Sequence, residues 1–132
     1  MAVKRFGVSI EEETLEKLDT YVEDNQFPNR SQALRFLIEN SFIEHKWQCN
    51  NEVAGAIVLL YDHHKNDISH KAGQIQHDYH NLILSTQHIH LSHGLCLESI
   101  AVKGKASELT NLADMLISLK GVRHGKLVMS RT

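Results

Sequence analysis

One alternating stretch near the start of the chain sets the first constraint. Residues Lys4 to Ile10 put Phe6, Val8 and Ile10 on one face and Arg5, Gly7 and Ser9 on the other, the period of a half-buried strand. The residues that follow read as helix up to about Phe42, so this strand has no nearby segment to pair with. A strand with two bare edges is not stable by itself. The expectation is therefore a second copy of the chain, the two strands forming an antiparallel ribbon over interlocked helices.

Glu11, Glu12 and Glu13 open the first helix, an acidic first turn that the helix dipole favours. Leu15, Leu18 and Val22 supply its apolar stripe, and Phe27-Pro28-Asn29 forms the connection. Ser31 is the expected N-cap of a second helix, in which Leu34, Leu37, Ile38 and Phe42 repeat at helical spacing. A two-stranded ribbon fits a DNA major groove. Arg5 could then donate twice to a guanine edge, Ser9 could reach a base or phosphate, and Gly7 reaches nothing. Free backbone N–H groups after Ser31, with Asn29 and Arg30 beside them, would face a phosphate. Strand, acidic helix, Pro28-Asn29-Arg30-Ser31 and second helix resemble the ribbon-helix-helix DNA-binding fold.

Composition bounds the rest. The chain has 132 residues, 42% apolar and 23% charged, with a formal charge of −2, which suits a small globular protein and argues against a generic basic nucleic-acid binder. Residues 1–46 hold six Lys/Arg against nine Asp/Glu, so DNA contact needs a local arrangement of charge. There are two cysteines, Cys49 and Cys96, and no secretory-type start or membrane-length apolar run is read, so a cytoplasmic protein without a disulfide is expected. Ten histidines are the outlier and point to metal binding or pH sensing.

After a connection expected at residues 45–52, where Trp47 would pack at the junction, the pattern changes. Strand-like Ala54 to Tyr61, helix-like Asn66 to about Gln76, strands at Leu82 to His90 and Leu95 to Lys103, a helix at Glu108 to Leu119 and a strand at Val122 to Met129 give the order βαββαβ. That order is the ferredoxin-like arrangement, shared by amino-acid-sensing modules of the ACT type. The expected fold class is thus α+β, with a ribbon-helix-helix (βαα) domain at 1–46 and a ferredoxin-like, ACT-like domain at 53–132.

His88-Ile89-His90-Leu91-Ser92-His93-Gly94-Leu95-Cys96 carries the chemistry. Alternation places His88 and His90 on one strand face, and a turn at Ser92-His93-Gly94 returns the chain so that Cys96 lies opposite His90. Imidazoles with a thiolate suit zinc, copper or nickel rather than calcium or magnesium. Glu98, on the same face as Cys96, is a candidate to orient the histidines from behind, or else faces solvent; Tyr61 is a second candidate near the metal, or an interface residue. His63, His64, His80 and His93 read as surface histidines able to join weaker sites, and Cys49 is unassigned.

Over nearly the whole chain the two modules resemble the nickel-responsive transcriptional regulators of the NikR family. The resemblance rests on Gln76-His77, His88-Ile89-His90, Cys96-Leu97-Glu98, Val102-Lys103-Gly104 and Gly121-Val122-Arg123-His124-Gly125. It implies one planar Ni2+ per subunit, held by His88, His90 and Cys96 of one chain and His77 of a neighbour, in a homotetramer built as a dimer of dimers. It also implies a repressor of nickel uptake that binds an inverted-repeat operator in double-stranded DNA, with no membrane attachment and no enzymatic activity. Two departures stand out. Gln32 and Phe36 occupy positions where some members hold a potassium ion with acidic side chains, and Gly7 removes one base-reading side chain. The alternatives are a regulator of this fold answering to copper, cobalt or zinc, a metal-independent DNA-binding scaffold, and a zinc hydrolase, for which no convincing general base is found.

Overall fold

The computed structural model describes residues 2–65 and 67–132. The start of the second module's first helix, expected at Asn66, lies outside the described residues. The chain divides into two compact units, Met1–Ser41 and Phe42–Thr132. Among the described residues no helix is long and apolar enough to cross a membrane.

In the first unit, α1 spans Glu12–Asp24 and α2 begins at Arg30. Tyr21, Phe27 and Phe36 stack in series, with ring centroids 5.6 and 5.5 Å apart, and Ala33 is fully buried. The cap of α2 differs from expectation: Asn29, not Ser31, supplies it, its Oδ1 accepting from the Gln32 N–H at 2.9 Å. The helix starts two residues earlier than a Ser31 cap implies, and an Asn side chain three positions back bonds the orphan N–H as well as a Ser would. The expected N-terminal strand is not formed in the single chain. Residues 2–11 carry neither helix nor strand, and Phe6, Val8 and Ile10 are 77%, 60% and 46% exposed. Alternation sets which side chains share a face, but backbone donors and acceptors need another strand before a ladder exists.

α2 runs on through Gln48, so most of the expected connection is helix, and its last turns belong to the second unit. There Trp47 is buried and its indole Nε1–H donates to the Ser130 carbonyl at 2.8 Å. The ring lies over Gly55: a Cβ at that position would stand 3.4 Å from Trp47 and only 2.5 Å from the Val128 carbonyl oxygen.

The second unit is α+β. Strands β1 (Glu52–Asp62), β2 (Ile83–Ser92), β3 (Leu95–Lys105) and β4 (Val122–Met129) form one antiparallel sheet in the order β2-β3-β1-β4. Helices α3 (Ile68–Asp78) and α4 (Ala106–Ile117) complete the order βαββαβ, with a short 3-10 turn at His80–Leu82. Alternate residues Val53, Ile57, Leu59 and Tyr61 of β1 and Cys96, Ile100 and Val102 of β3 share the core with Ile68 and Ala72 of α3 and with Leu109, Leu112 and Leu116 of α4. A helix buries such a stripe only against an apolar sheet face, and burying each large aliphatic side chain contributes about 1.5–3 kcal/mol. The in-between residues leave a second, partly exposed apolar face that includes Ile89, Leu91 and Val128, 41%, 51% and 50% exposed.

Candidate metal centre

β2 and β3 form a tight hairpin. Its two loop residues, His93 and Gly94, have φ of 50° and 83°, the left-handed pair that matches the right-handed twist of antiparallel strands. The closure pairs Ser92 with Leu95, and beyond a one-residue bulge His90 lies opposite Cys96 and His88 opposite Glu98. Because β2 is an edge strand, both histidines stand where a second chain can reach them, and both are exposed. The pairing of β2 with β3 slips by one residue immediately after His90, a bulge of the kind that re-aims side chains beside functional sites.

Cys96 is fully buried, and its Sγ lies 3.4 Å from Nδ1 of His90 and 3.1 Å from Nδ1 of His63. The three donor atoms lie within 4.8 Å of one another, forming a soft-donor set from a single chain. His63, read from sequence as a surface histidine, is half-buried and held over the turn by its own N–H and Nδ1, 3.0 and 2.8 Å from the Gly94 carbonyl. Burial pushes the Cys96 thiol up, the contact with His63 opposing it and the charges of Asp62 and Glu98 reinforcing it. A metal bound there displaces a proton, so the donor chemistry fits a thiophilic transition ion taken up with proton release.

The four residues expected to hold metal do not all meet within one chain. His88 lies beside the trio, its ring centroid 5.1 Å from that of His90 and 5.9 Å from that of Tyr61. His77 sits on the exposed last turn of α3, ring to ring with His80 at 6.3 Å. Glu98 does not face solvent. It is 5% exposed, one oxygen accepting from the Tyr61 hydroxyl and the other from Gln76 Nε2, both at 2.7 Å, while Gln76 Oε1 accepts from Thr86 Oγ1 at 3.1 Å. This relay ties α3, next to His77, to β1, β2 and β3. Strand alternation indicated the face of Glu98; only the seating of α3 buried it.

The residues expected at DNA divide likewise. Arg5, Gly7 and Ser9 are exposed among residues 2–11, which carry neither helix nor strand, whereas Arg30 is engaged within its own unit. Its guanidinium donates to both oxygens of Asp19, Nε at 2.7 Å and a terminal nitrogen at 2.9 Å, and holds that carboxyl below the usual carboxylate range. Gln32 accepts a hydrogen bond from Arg35, and Phe36 packs on Phe27, so neither offers a carboxylate to a cation. Cys49 is exposed, with Sγ 3.5 Å from Nε2 of His45 one helical turn before it.

Residues 54–130 match the family described as the NikR C terminal nickel binding domain. A nickel-responsive regulator of Syntrophus aciditrophicus is 46% identical over 128 residues, covering 97% of this chain and 93% of that protein. One of Pyrococcus furiosus is 47% identical over 133 residues, covering 100% and 96%. At 13% identity, the solved structure of an uncharacterized protein from Thermotoga maritima matches 61% of this chain and all of its own with a TM-score of 0.56, which speaks for the fold alone. With near-full-length relatives at this identity, a matching nickel-binding domain and a thiol–imidazole cluster at its edge hairpin, the chain belongs to the family of nickel-responsive regulators.

Proposed function

We infer that this protein is a nickel-dependent DNA-binding repressor of nickel uptake, working in the cytoplasm as a homotetramer. In this reading residues 1–46 form a ribbon-helix-helix head and residues 53–132 the ACT-like metal-binding and tetramerisation domain. One Ni2+ per subunit is held by His88, His90 and Cys96 with His77 of a neighbouring chain. The observation that carries the reading is the edge hairpin: His90 faces Cys96 in register and His88 follows on the same strand, on the side of the sheet a second chain can approach. Three donors of this kind leave one position for a partner's imidazole, and a planar arrangement selects Ni(II) or Cu(II) over zinc.

Glu98 and Tyr61 bear on the site through α3. By anchoring Gln76, the buried carboxylate holds the helix whose next residue is His77. Nickel shared between chains restricts how two dimeric heads sit, and DNA favours the same arrangement, so each ligand strengthens the other by linkage. The uncovered apolar sheet face supports a tetramer core, and the bare alternating residues 4–10 support a ribbon made with a second chain, from which Arg5 and Ser9, but not Gly7, read bases. Asn29 and Ser31 flank the free N–H groups of α2, suited to a phosphate; Arg30 reaches one only by leaving Asp19.

The test is binding to inverted-repeat DNA titrated with nickel, copper, zinc and cobalt, paired with absorption sensitive to planar nickel–thiolate coordination. Nickel is expected to produce both the absorption band and tight DNA binding, and His88→Ala to abolish both. DNA binding that persists after chelation, or is unchanged in His88→Ala, refutes the reading.

A further inference from the structure

His63 is the residue near the metal centre that the nickel set does not use. It follows β1, while His90 and Cys96 lie on β2 and β3, so the three donors converge from three segments of one chain. A zinc ion bonded to nitrogen at about 2.0–2.1 Å and to sulfur at about 2.3 Å in tetrahedral geometry needs its donors about 3.3–3.6 Å apart. Two edges of that figure are already close to this length, with Cys96 Sγ 3.4 Å from His90 and, slightly short of it, 3.1 Å from His63. The edge between the two imidazoles, whose ring centroids are 5.0 Å apart, has to close, and Nδ1 of His63 has to exchange its 2.8 Å contact with the Gly94 carbonyl for the metal, giving up its proton. The turn is shaped to leave His63 in place: a Cβ on Gly94 would stand 2.5 Å from the ring of His64, which lies 3.9 Å from that of His63.

We propose that His63, His90 and Cys96 form an alternative, single-chain site for a tetrahedral ion such as zinc, competing with the nickel set for two shared donors. An ion held there has no use for a partner's histidine. Zinc therefore occupies the thiol without linking subunits, and the protein separates metals by whether their preferred geometry recruits His63 or His77. The competition rests on the nickel reading above; the zinc site itself does not.

The experiment measures zinc affinity of the full chain by competition with a chromophoric chelator, in the parent, His63→Asn, His63→Cys and His77→Ala. His63→Asn is expected to weaken zinc by at least the roughly 10–100-fold that loss of even an outer partner of a metal site costs. His63→Cys, which restores a zinc ligand, recovers it, while His77→Ala weakens zinc less than His63→Asn does. Nickel shows the reverse order, His77→Ala losing the planar absorption band that His63→Asn keeps. X-ray absorption of the zinc-loaded parent, independent of any variant, should give four-coordinate zinc with one sulfur and two imidazoles. Zinc affinity unchanged in His63→Asn, or reduced as much by His77→Ala, overturns the proposal, as does a three-imidazole zinc spectrum. Failure of the planar nickel band in every protein would instead count against the nickel reading and leave the zinc result standing.

Discussion

Tyr61→Phe removes one link of the buried relay in which Glu98 holds α3 against the sheet. The tyrosine is 1% exposed, and phenylalanine keeps its ring packing, so the substitution opens no large cavity. It removes one bond of 2.7 Å to a carboxylate that is itself 5% exposed, while Gln76 continues to hold the other oxygen. A hydrogen bond to a charged group contributes about 1.5–3 kcal/mol. Metal-free protein should therefore lose about 2 kcal/mol, a fall of roughly 1 M in the urea midpoint for a slope of 1–3 kcal/mol/M. Protomer concentration must be held constant, because association adds to apparent stability. A cycle with Glu98→Ala should give a coupling of about 0.5–3 kcal/mol. Since Gln76 precedes His77, nickel affinity should drop about 10–100-fold, the range for residues that position metal ligands from behind. A stability loss under about 0.5 kcal/mol together with unaltered nickel affinity would refute the reasoning.

Leu112→Ala, at a fully buried position on α4, should cost about 2–5 kcal/mol in urea unfolding, and a neutral result would mean the helix face is not packed as described. Gly55→Val should break the pairing of β1 with β4, because a Cβ there meets the Val128 carbonyl oxygen at 2.5 Å; fluorescence of the chain's one tryptophan, Trp47, reports the loss, and an unshifted emission maximum would contradict it. Asp19→Asn should flatten the acid limb of stability. Arg30 lowers the folded carboxyl below 3.8, so its contribution is present above that value and lost as pH falls through the folded one. The effect on this exposed pair should fade with added salt, and identical acid limbs in parent and variant would show that the pair does not contribute.

Sequence alone reaches far wherever the physics is local. The alternation from His88 to Cys96 and a turn at Ser92-His93-Gly94 indicate a hairpin with His90 opposite Cys96; in the structure the turn closes on His93 and Gly94 alone, and the one-residue bulge between His90 and Ser92 gives that register. The apolar stripes of α1 and α4 are equally legible, since 3.6-residue spacing is a property of a single helix. The resemblance to nickel regulators was legible for the same reason, its motifs lying in short contiguous runs. Only the tertiary structure decided who meets whom across the chain. His63 reached Cys96 because β1 pairs with β3, Asp62 opposite Leu95. Glu98 became buried because α3 lays Gln76 over it. Arg30 was drawn to Asp19, eleven residues away on another helix, and Trp47 entered the core of the second unit because α2 ran past its expected end. Periodicity tells a side chain which face it occupies, but a face has no address until strand order and helix docking supply its neighbour.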